Sequence, residues 1–286
     1  MKWIFFRLLG FLSDKHFAQI VFLLKLRYWP NLVTPSSINE KVNYLKLYSN
    51  NPKRLIAADR LKVREYVKKK SNKLKLIDLL WSGTDLTEED YNTFPVKFVI
   101  KANHGSGMVM VVNKNNSSYK VVLQQVKKWL YFDYGSYTRE RIYQKIPRVL
   151  VVERFLSELE SVPPDYKFIC LNGQVSLIQV DIDRFSKHKR NIYLRDLTRI
   201  YGKTSYPAGP EIKIPNKIND AIEIAEIIAC DYDFIRVDLF ILESGIYFGE
   251  LTNFPHNGLE PYIKDFDYEI GSKLEIEEKI HQNAIH

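Results

Sequence analysis

The chain has 286 residues, 45% hydrophobic and 27% charged, and Lys plus Arg exceed Asp plus Glu by 42 to 34 for a net charge of +8. That length supports a sizeable core in one large domain or two modest ones, and that balance excludes a wholly disordered chain. The basic excess favours anionic partners (nucleotides, acidic saccharides, nucleic acid or an anionic membrane surface) without choosing among them.

In the first thirty residues Trp3, Ile4, Phe5, Phe6, Leu8, Leu9, Phe11 and Leu12 are apolar, but Arg7 interrupts them, and Lys25 and Arg27 close the second run, Ile20 to Leu24. A spanning helix needs roughly 20 mostly apolar residues and a signal peptide needs a small-residue cleavage site, and the pattern offers neither. It predicts two amphipathic helices broken near Ser13 and Asp14. They either pack on the domain or lie on a membrane surface, helped by Lys2, Arg7, Lys15, Lys25 and Arg27. Residues 1 to about 70 read as helical. Ser36-Ser37-Ile38-Asn39-Glu40 places a hydroxyl cap ahead of an acidic first turn, and a further helix covers 59 to 70. From Phe94 the texture becomes β-rich. Strands are predicted at Lys97 to Ala102, Met108 to Val112 and Val149 to Phe155, with a helix over 117 to 134. Asp165 to Asp181 reads as a hairpin about Asn172-Gly173, the strongest short-range hairpin signal. A helix follows over Asn219 to Cys230, then strands over Phe234 to Leu242 and Gly245 to Leu251. Hairpins mixed with separate helices argue α+β. The two cysteines, Cys170 and Cys230, form no CxxC pair, so they signal neither zinc nor a redox motif. Read as buried free thiols, they suit the cytoplasm.

Three segments carry candidate chemistry. Phe98-Val99-Ile100-Lys101-Ala102-Asn103-His104-Gly105-Ser106-Gly107 sets a lysine at a strand end before a Gly-rich loop. Glycine lets backbone amides close on phosphate oxygens. Neither the P-loop nor the dinucleotide spacing is met, so a phosphate lid and an ordinary hairpin loop both remain. In the second, Arg236 and Asp238 precede Glu250 and Thr252. A three-residue turn, Glu243-Ser244-Gly245, sets Asp238 opposite Glu250 and Arg236 opposite Thr252, all on one face. Paired carboxylates beside an arginine suit magnesium and phosphate; the alternative is a solvated cross-strand salt bridge. In the third, Val151-Val152-Glu153-Arg154-Phe155 is either the wall of an adenine pocket or a plain strand. Asp181-Ile182-Asp183 and Asp231-Tyr232-Asp233 match the Asp-x-Asp motif of glycosyltransferases, which makes a metal-dependent glycosyltransferase the alternative enzyme reading. Lys187-His188-Lys189-Arg190 either holds an acidic substrate or is a solvated loop. No histidine has metal-ligand spacing to another.

The chain resembles the ATP-grasp superfamily, and within it the TupA-like branch of surface-polysaccharide biosynthesis. The likeness runs through Ile38-Asn39-Glu40-Lys41, Leu45 to Tyr48, Asp59 to Val67, Phe98 to Gly107, Asp165 to Phe168 with Asn172-Gly173, Arg236-Val237-Asp238 and Phe248 to Thr252. It implies an α+β fold in which two α+β subdomains grip ATP, with an N-terminal helical extension. The expected divisions are a helical segment at 1–50, the part with the phosphate lid at 51–148, and the subdomain with the metal site at 149–286. It implies ATP and magnesium as cofactors. Lys101, the Asn103-His104-Gly105-Ser106-Gly107 lid and Lys167 would contact phosphates, and Glu153 would lie near adenine or ribose. Asp238, Glu250 and Thr252 would hold the metal, although many members carry asparagine where Thr252 stands, with Asn253 one place on. Arg236, with Lys101, would act on the transferred phosphoryl group. The activity implied is ATP-driven amide formation through an acyl phosphate, between a uronic acid sugar and an amino acid or other amine. The expected site is the cytoplasm, with no nucleic-acid partner and a peripheral contact with the inner membrane face or a lipid-linked saccharide.

Overall fold

The computed structural model describes residues 11–156, 164–182 and 188–276; the first expected amphipathic helix, Asp183 and Lys187 lie outside the described residues. Ser13 caps α1 (Asp14–Leu26), its hydroxyl accepting from the His16 N–H. Ser37 caps α2 (Ile38–Tyr48) in a reciprocal capping box with Glu40. Such a box satisfies two N–H groups that a helix start leaves unbonded. Two short helices follow, α3 (Lys53–Ala58) and α4 (Lys62–Lys70), so among the described residues the N-terminal stretch forms four separate helices. Pro52, just before α3, and Asp59, whose carboxylate accepts from the Leu61 and Lys62 N–H groups, punctuate it.

Two sheets form the rest. The smaller has the order β2 (Leu79–Gly83), β5 (Leu150–Arg154), β3 (Lys97–Ala102), β4 (Val109–Asn113), all antiparallel. Phe98, Ile100, Val112 and Val152 bury one face against Val122, Val126 and Trp129 of α6 (Tyr119–Tyr131) and Tyr91 of α5 (Glu88–Thr93). Next come α7 (Tyr134–Thr138) and a 3-10 turn at Arg141–Lys145. The larger sheet has the order β1 (Leu74–Leu76), β11 (Gly245–Thr252), β10 (Phe234–Leu242), β6 (Asp165–Leu171), β7 (Gln174–Ile182), β8 (Lys189–Leu194), β9 (Arg199–Ile200). Only β1 runs parallel to its neighbour. The α+β expectation is met. The sheets do not divide at 148/149, however: β5 belongs to the smaller sheet, and β1, from the 51–148 span, joins the larger one.

The larger sheet's two faces decide where the site lies. One face is apolar throughout, with Phe168, Val180, Ile235 and Val237 packed on Ile224 and Ile228 of α8 (Ile218–Ala229) and on Val63 and Val67 of α4. Each such side chain contributes about 1.5–3 kcal/mol by leaving water. On the other face Ile169, Leu177 and Ile192 meet Ile38, Val42 and Leu45 of α2 and Phe266 and Ile270 of α9 (Lys264–Ser272). Beyond that cover, the same face carries Asp165, Lys167, Asp181, Arg236 and Asp238.

The last hairpin reaches the expected register by a different route. Leu242 pairs with Gly245, so the turn holds two residues, Glu243 and Ser244, not three. The extra residue enters as a bulge at Gly249, since Leu239 pairs with Phe248 but Asp238 with Glu250. A Cβ on Gly249 would lie 2.9 Å from the Asp238 carbonyl oxygen, which explains the glycine. Asn172 and Gly173 turn β6 into β7 with φ of 48° and 82°, the mirror-image turn that Asn-Gly favours. Cys170 is buried as expected, but Cys230 is exposed, because it caps the end of α8 instead of facing the core.

Candidate active site

Arg236 is the hub of the carboxylate face. Its guanidinium donates to both Asp238 oxygens, Nε to Oδ1 at 2.7 Å and Nη2 to Oδ2 at 2.6 Å. The same Nη2 reaches Glu250 Oε1 at 3.2 Å and donates to Thr252 Oγ1 at 3.0 Å. Asp238, Glu250, Thr252 and Arg236 are therefore brought together by the pairing of β10 with β11. The Asp238 side chain is 4% exposed and that of Glu250 38%. Burial raises the Glu250 carboxyl, but Arg60, Arg236, Lys101 and Lys167 more than offset it and hold it down to about 2. Asn253 points away: its Nδ2 donates to the Arg54 carbonyl at 2.9 Å, fixing α3 beneath the strand end. Lys167, paired across strands with Asp238, sits 3% exposed among Asp165, Asp181 at 3.6 Å and Asp238 at 3.7 Å. In this arrangement it neutralises the carboxylates from behind.

The smaller sheet contributes Lys101 from the end of β3. Its Nζ donates to Glu153 Oε2 at 2.5 Å, and Arg64 of α4 holds the other Glu153 oxygen at 3.0 Å. Lys101 and Glu153 thus form one pair on neighbouring strands, with Arg64 tying it to α4. Within the 103–107 loop the residues divide. The Asn103 amide donates to Asp59 Oδ1 at 3.1 Å, a buried bond, and its Oδ1 accepts from the Arg60 N–H at 2.7 Å. His104 is buried with Nε2 3.0 Å from the Trp129 carbonyl, and burial holds its pKa below the usual value. The side chains of Asn103 and His104 therefore brace the loop from inside. Gly105 is packed on Tyr134, where a Cβ would meet the ring at 2.7 Å. Ser106 and Gly107 are exposed, and Gly107 turns at φ 75° in open space. The loop presents backbone at its tip, which is what phosphate approach needs.

The Asp-x-Asp segments are otherwise engaged. Asp181 accepts two bonds from Arg190, at 2.7 and 3.2 Å, and lies 3.0 Å from His188 Nε2. Asp231 pairs with Lys53 at 2.6 Å and Lys70 at 2.7 Å, and Asp233 pairs with Arg54. Arg190, expected as part of a basic run facing solvent or substrate, is buried between Asp181 and Glu260 with the Tyr206 ring 4.4 Å away. A cavity of about 770 Å³ is lined by Tyr44, Tyr48, Asn51, Cys230 and the Asp231–Asp233 segment, and none of the residues expected to hold ATP or metal borders it. Sequence reasoning missed Arg60, 3.6 Å from Glu250, and Arg64, both in the Asp59 to Val67 stretch whose pattern reads simply as helix. It also missed Glu260 and His256, which follow the last strand with no motif around them.

The groups of the two sheets act on one another: the Lys101 charge reaches Glu250, and Arg60 links them through its N–H on Asn103 and its guanidinium near Glu250. A lysine-bearing glycine hairpin on one sheet, set against an arginine–carboxylate face on another, places the chain in the ATP-grasp class. The model of TupA-like ATP-grasp proteins matches residues 40–275, and the chain belongs to that family. No curated protein matches it in sequence. Among solved structures it is similar to D-alanine–D-alanine ligase from Bacillus anthracis complexed with ATP (11% identity, TM-score 0.43, 77% of this chain and 62% of that one). It is also similar to the same ligase from Helicobacter pylori (14%, 0.45, 84% and 70%). A third is N5-carboxyaminoimidazole synthase from Aspergillus clavatus with ADP and its ribonucleotide (12%, 0.41, 76% and 46%). The chain thus spans 62% of the first of these structures. Among the described residues, no helix is long and apolar enough to cross a membrane.

Proposed function

We propose that the chain is an ATP-using, magnesium-dependent carboxylate–amine ligase that joins an amino acid or related amine to the carboxylate of a uronic acid in a surface polysaccharide or its precursor. The observation that carries this reading is Arg236 Nη2 lying between Asp238 at 2.6 Å and Glu250 at 3.2 Å on the face toward Lys101. Asp238 and Glu250 fit magnesium, since they are hard oxygen donors on paired strands and already share one cationic group between them. Magnesium binds through one or two carboxylates plus phosphates, and when bound supplies charge neutralisation on phosphoryl oxygens. Thr252 is the third oxygen of this set.

The chain's own residues account for the remaining demands of the chemistry. A carboxylate oxygen of the sugar attacks the terminal phosphorus of ATP, the bond to the bridging oxygen breaks, and ADP leaves with that electron pair. Arg236 and Lys101 stabilise the negative charge that spreads over the transferred oxygens. The acyl phosphate is then attacked by the amine, and phosphate departs. The exposed Ser106-Gly107 tip serves the phosphates, and Glu153 keeps Lys101 extended toward them. The uronic acid assignment rests on family membership and on the net charge of +8. The proposed placement is cytoplasmic, with a peripheral contact at the inner membrane face, and exposed Leu23, Leu24, Trp29 and Val33 beside Lys25 and Arg27 support a contact with a membrane surface.

The test supplies glucuronate and galacturonate, ATP and magnesium with hydroxylamine, a small strong nucleophile in place of the natural amine. Hydroxamate and ADP are expected in equal amounts, and both are lost in Arg236→Ala. Release of a nucleoside diphosphate from a sugar donor, with no use of ATP, overturns the ligase reading.

A further inference from the structure

Immediately beyond β11 the chain makes an unusual excursion. His256 and Asn257 both adopt left-handed backbone, at φ 49° and 60°, followed by Gly258 at 73°. Non-glycine residues stay in that region only when their surroundings hold them. The holding is done by one face of α2. Asn39 exchanges two hydrogen bonds with the Glu260 backbone, at 2.9 and 2.7 Å. Asn43 donates to the Gly258 carbonyl at 2.6 Å, and Lys46 to the Asn257 carbonyl and side chain at 3.1 and 2.9 Å. Positions 39, 43 and 46 follow helical spacing, so a single face clamps the excursion.

The clamp sets His256 over Glu260. The His256 side chain is 36% exposed, and its Nε2 lies 3.7 Å from Glu260 Oε2. Glu260 is buried, its Oε1 is occupied by Arg190, and its Oε2 has no hydrogen-bond partner among the described residues. An unpaired buried carboxylate oxygen is costly, and one that faces an accessible imidazole is the arrangement that orients a proton acceptor. Arg236 lies close enough for its charge to act on both residues, so the pair borders the phosphoryl-transfer face.

We infer that His256 takes the proton from the incoming amine, with Glu260 behind it as the positioning carboxylate; this rests on the ligase reading. An amine in water arrives as ammonium and has no free electron pair. His256 accepts one N–H proton at Nδ1, the ring nitrogen not turned to Glu260; the freed pair forms the C–N bond to the acyl carbon, the carbon–oxygen bond breaks with its electron pair going to phosphate, and the second N–H proton leaves on that phosphate. The imidazolium left behind faces Glu260. The groups acting on His256 are Glu260, which favours its charged form, Arg190 and Arg236, which oppose it, and Asp181, which favours it. The Tyr206 ring lies 6.2 Å from the imidazole. Burial weighs most and keeps the imidazole below its usual pKa, so it is neutral and able to accept at pH 7.

The experiment compares two nucleophiles. Hydroxylamine is already unprotonated at neutral pH and needs no base; amino acids do. Wild type, His256→Gln and Glu260→Gln, each checked for an intact melt, receive glucuronate and galacturonate, ATP and magnesium with either hydroxylamine or a mixture of the twenty standard amino acids. His256→Gln is expected to slow amino-acid-dependent ADP release about 100-fold while changing the hydroxylamine rate by less than about threefold. Glu260→Gln keeps an acceptor for Arg190; it is expected to slow the amino-acid reaction about tenfold and to move the acidic limb of its pH profile to lower pH. Equal losses with both nucleophiles, no loss with either, or a wild type that takes hydroxylamine but no amino acid overturns the inference. A wild type that makes no hydroxamate fails the ligase reading itself, a separate outcome.

Discussion

Asp181→Asn removes a charge from the centre of a buried network without changing its shape. In the wild type this carboxylate accepts from Arg190 at 2.7 and 3.2 Å, with His188 at 3.0 Å and Lys167 at 3.6 Å, and its side chain is 2% exposed. Breaking a buried pair from one side costs about 3–5 kcal/mol. Arg190 keeps Glu260 and the amide keeps one acceptor oxygen, so the cost falls at the lower end, about 3 kcal/mol. That corresponds to a melting temperature lower by roughly 6–10 °C for a chain of this size. Burial raises the Asp181 carboxyl, but Arg190, Lys167 and His188 outweigh it and hold it below the ordinary value of 3.8. A depressed carboxyl contributes stability that is present above its unfolded pKa and lost as pH falls. The gap between wild type and variant should therefore be full at neutral pH and narrow below about pH 4. Thermal melts followed by circular dichroism at several pH values measure it. A neutral-pH difference under about 1 kcal/mol, or one that does not narrow in acid, refutes the assignment of Asp181 to a buried ion pair. Loss of all turnover in a variant that melts normally would instead move the chemistry to Asp181, as the glycosyltransferase alternative requires.

Lys101→Ala should cut the stabilisation that ATP and magnesium give in a thermal shift assay, with affinity falling at least about tenfold; unchanged affinity removes Lys101 from the phosphate site. Glu250→Gln, at a half-exposed position, should stay folded but lose about 100-fold or more in ADP release, and near-normal rates at saturating magnesium place the ion elsewhere. Gly249→Ala should destabilise by about 1–3 kcal/mol and lower turnover as well, because the new Cβ presses on the Asp238 carbonyl oxygen; a neutral effect in denaturant melts would mean the bulge is not rigid. Trp29→Ser with Leu24→Ser should reduce co-sedimentation with anionic vesicles severalfold at low salt, and equal binding of wild type and variant dismisses that surface as a membrane contact.

Local patterns wrote much of this molecule. Ser37 and Glu40 announce the start of α2, Asn172-Gly173 announces the β6–β7 turn, and alternation along Ile235 to Leu239 puts Arg236 and Asp238 on one face. Such signals involve residues within a few positions of each other, so they are visible in one dimension. The glycine hairpin was equally visible, but its internal division was not. Asn103 and His104 look like loop residues open to a ligand, and become inward braces only because Asp59, Arg60 and Trp129 lie beside them. The short strands β1, β2, β8 and β9 left little trace either, since their order is fixed by partners far along the chain.

The sequence by itself determined the α+β class, the shared face of Arg236 and Asp238 and the family, because each rests on spacing within a strand or motif; Asp238 meets Glu250 only because a bulge at Gly249 offsets a turn one residue shorter than expected. The tertiary structure decided which charges are spent and which are available. Lys167, expected to contact phosphates, and Arg190, expected in a substrate-holding or solvated run, are buried among carboxylates, while Arg60 and Arg64, in a stretch read simply as helix, reach Glu250 and Glu153. It also decided that His256 faces Glu260 across a left-handed loop clamped by α2, more than 200 residues away in the chain. Charge compensation depends on distance in space and on exclusion of water, and neither is encoded in the order of neighbouring residues.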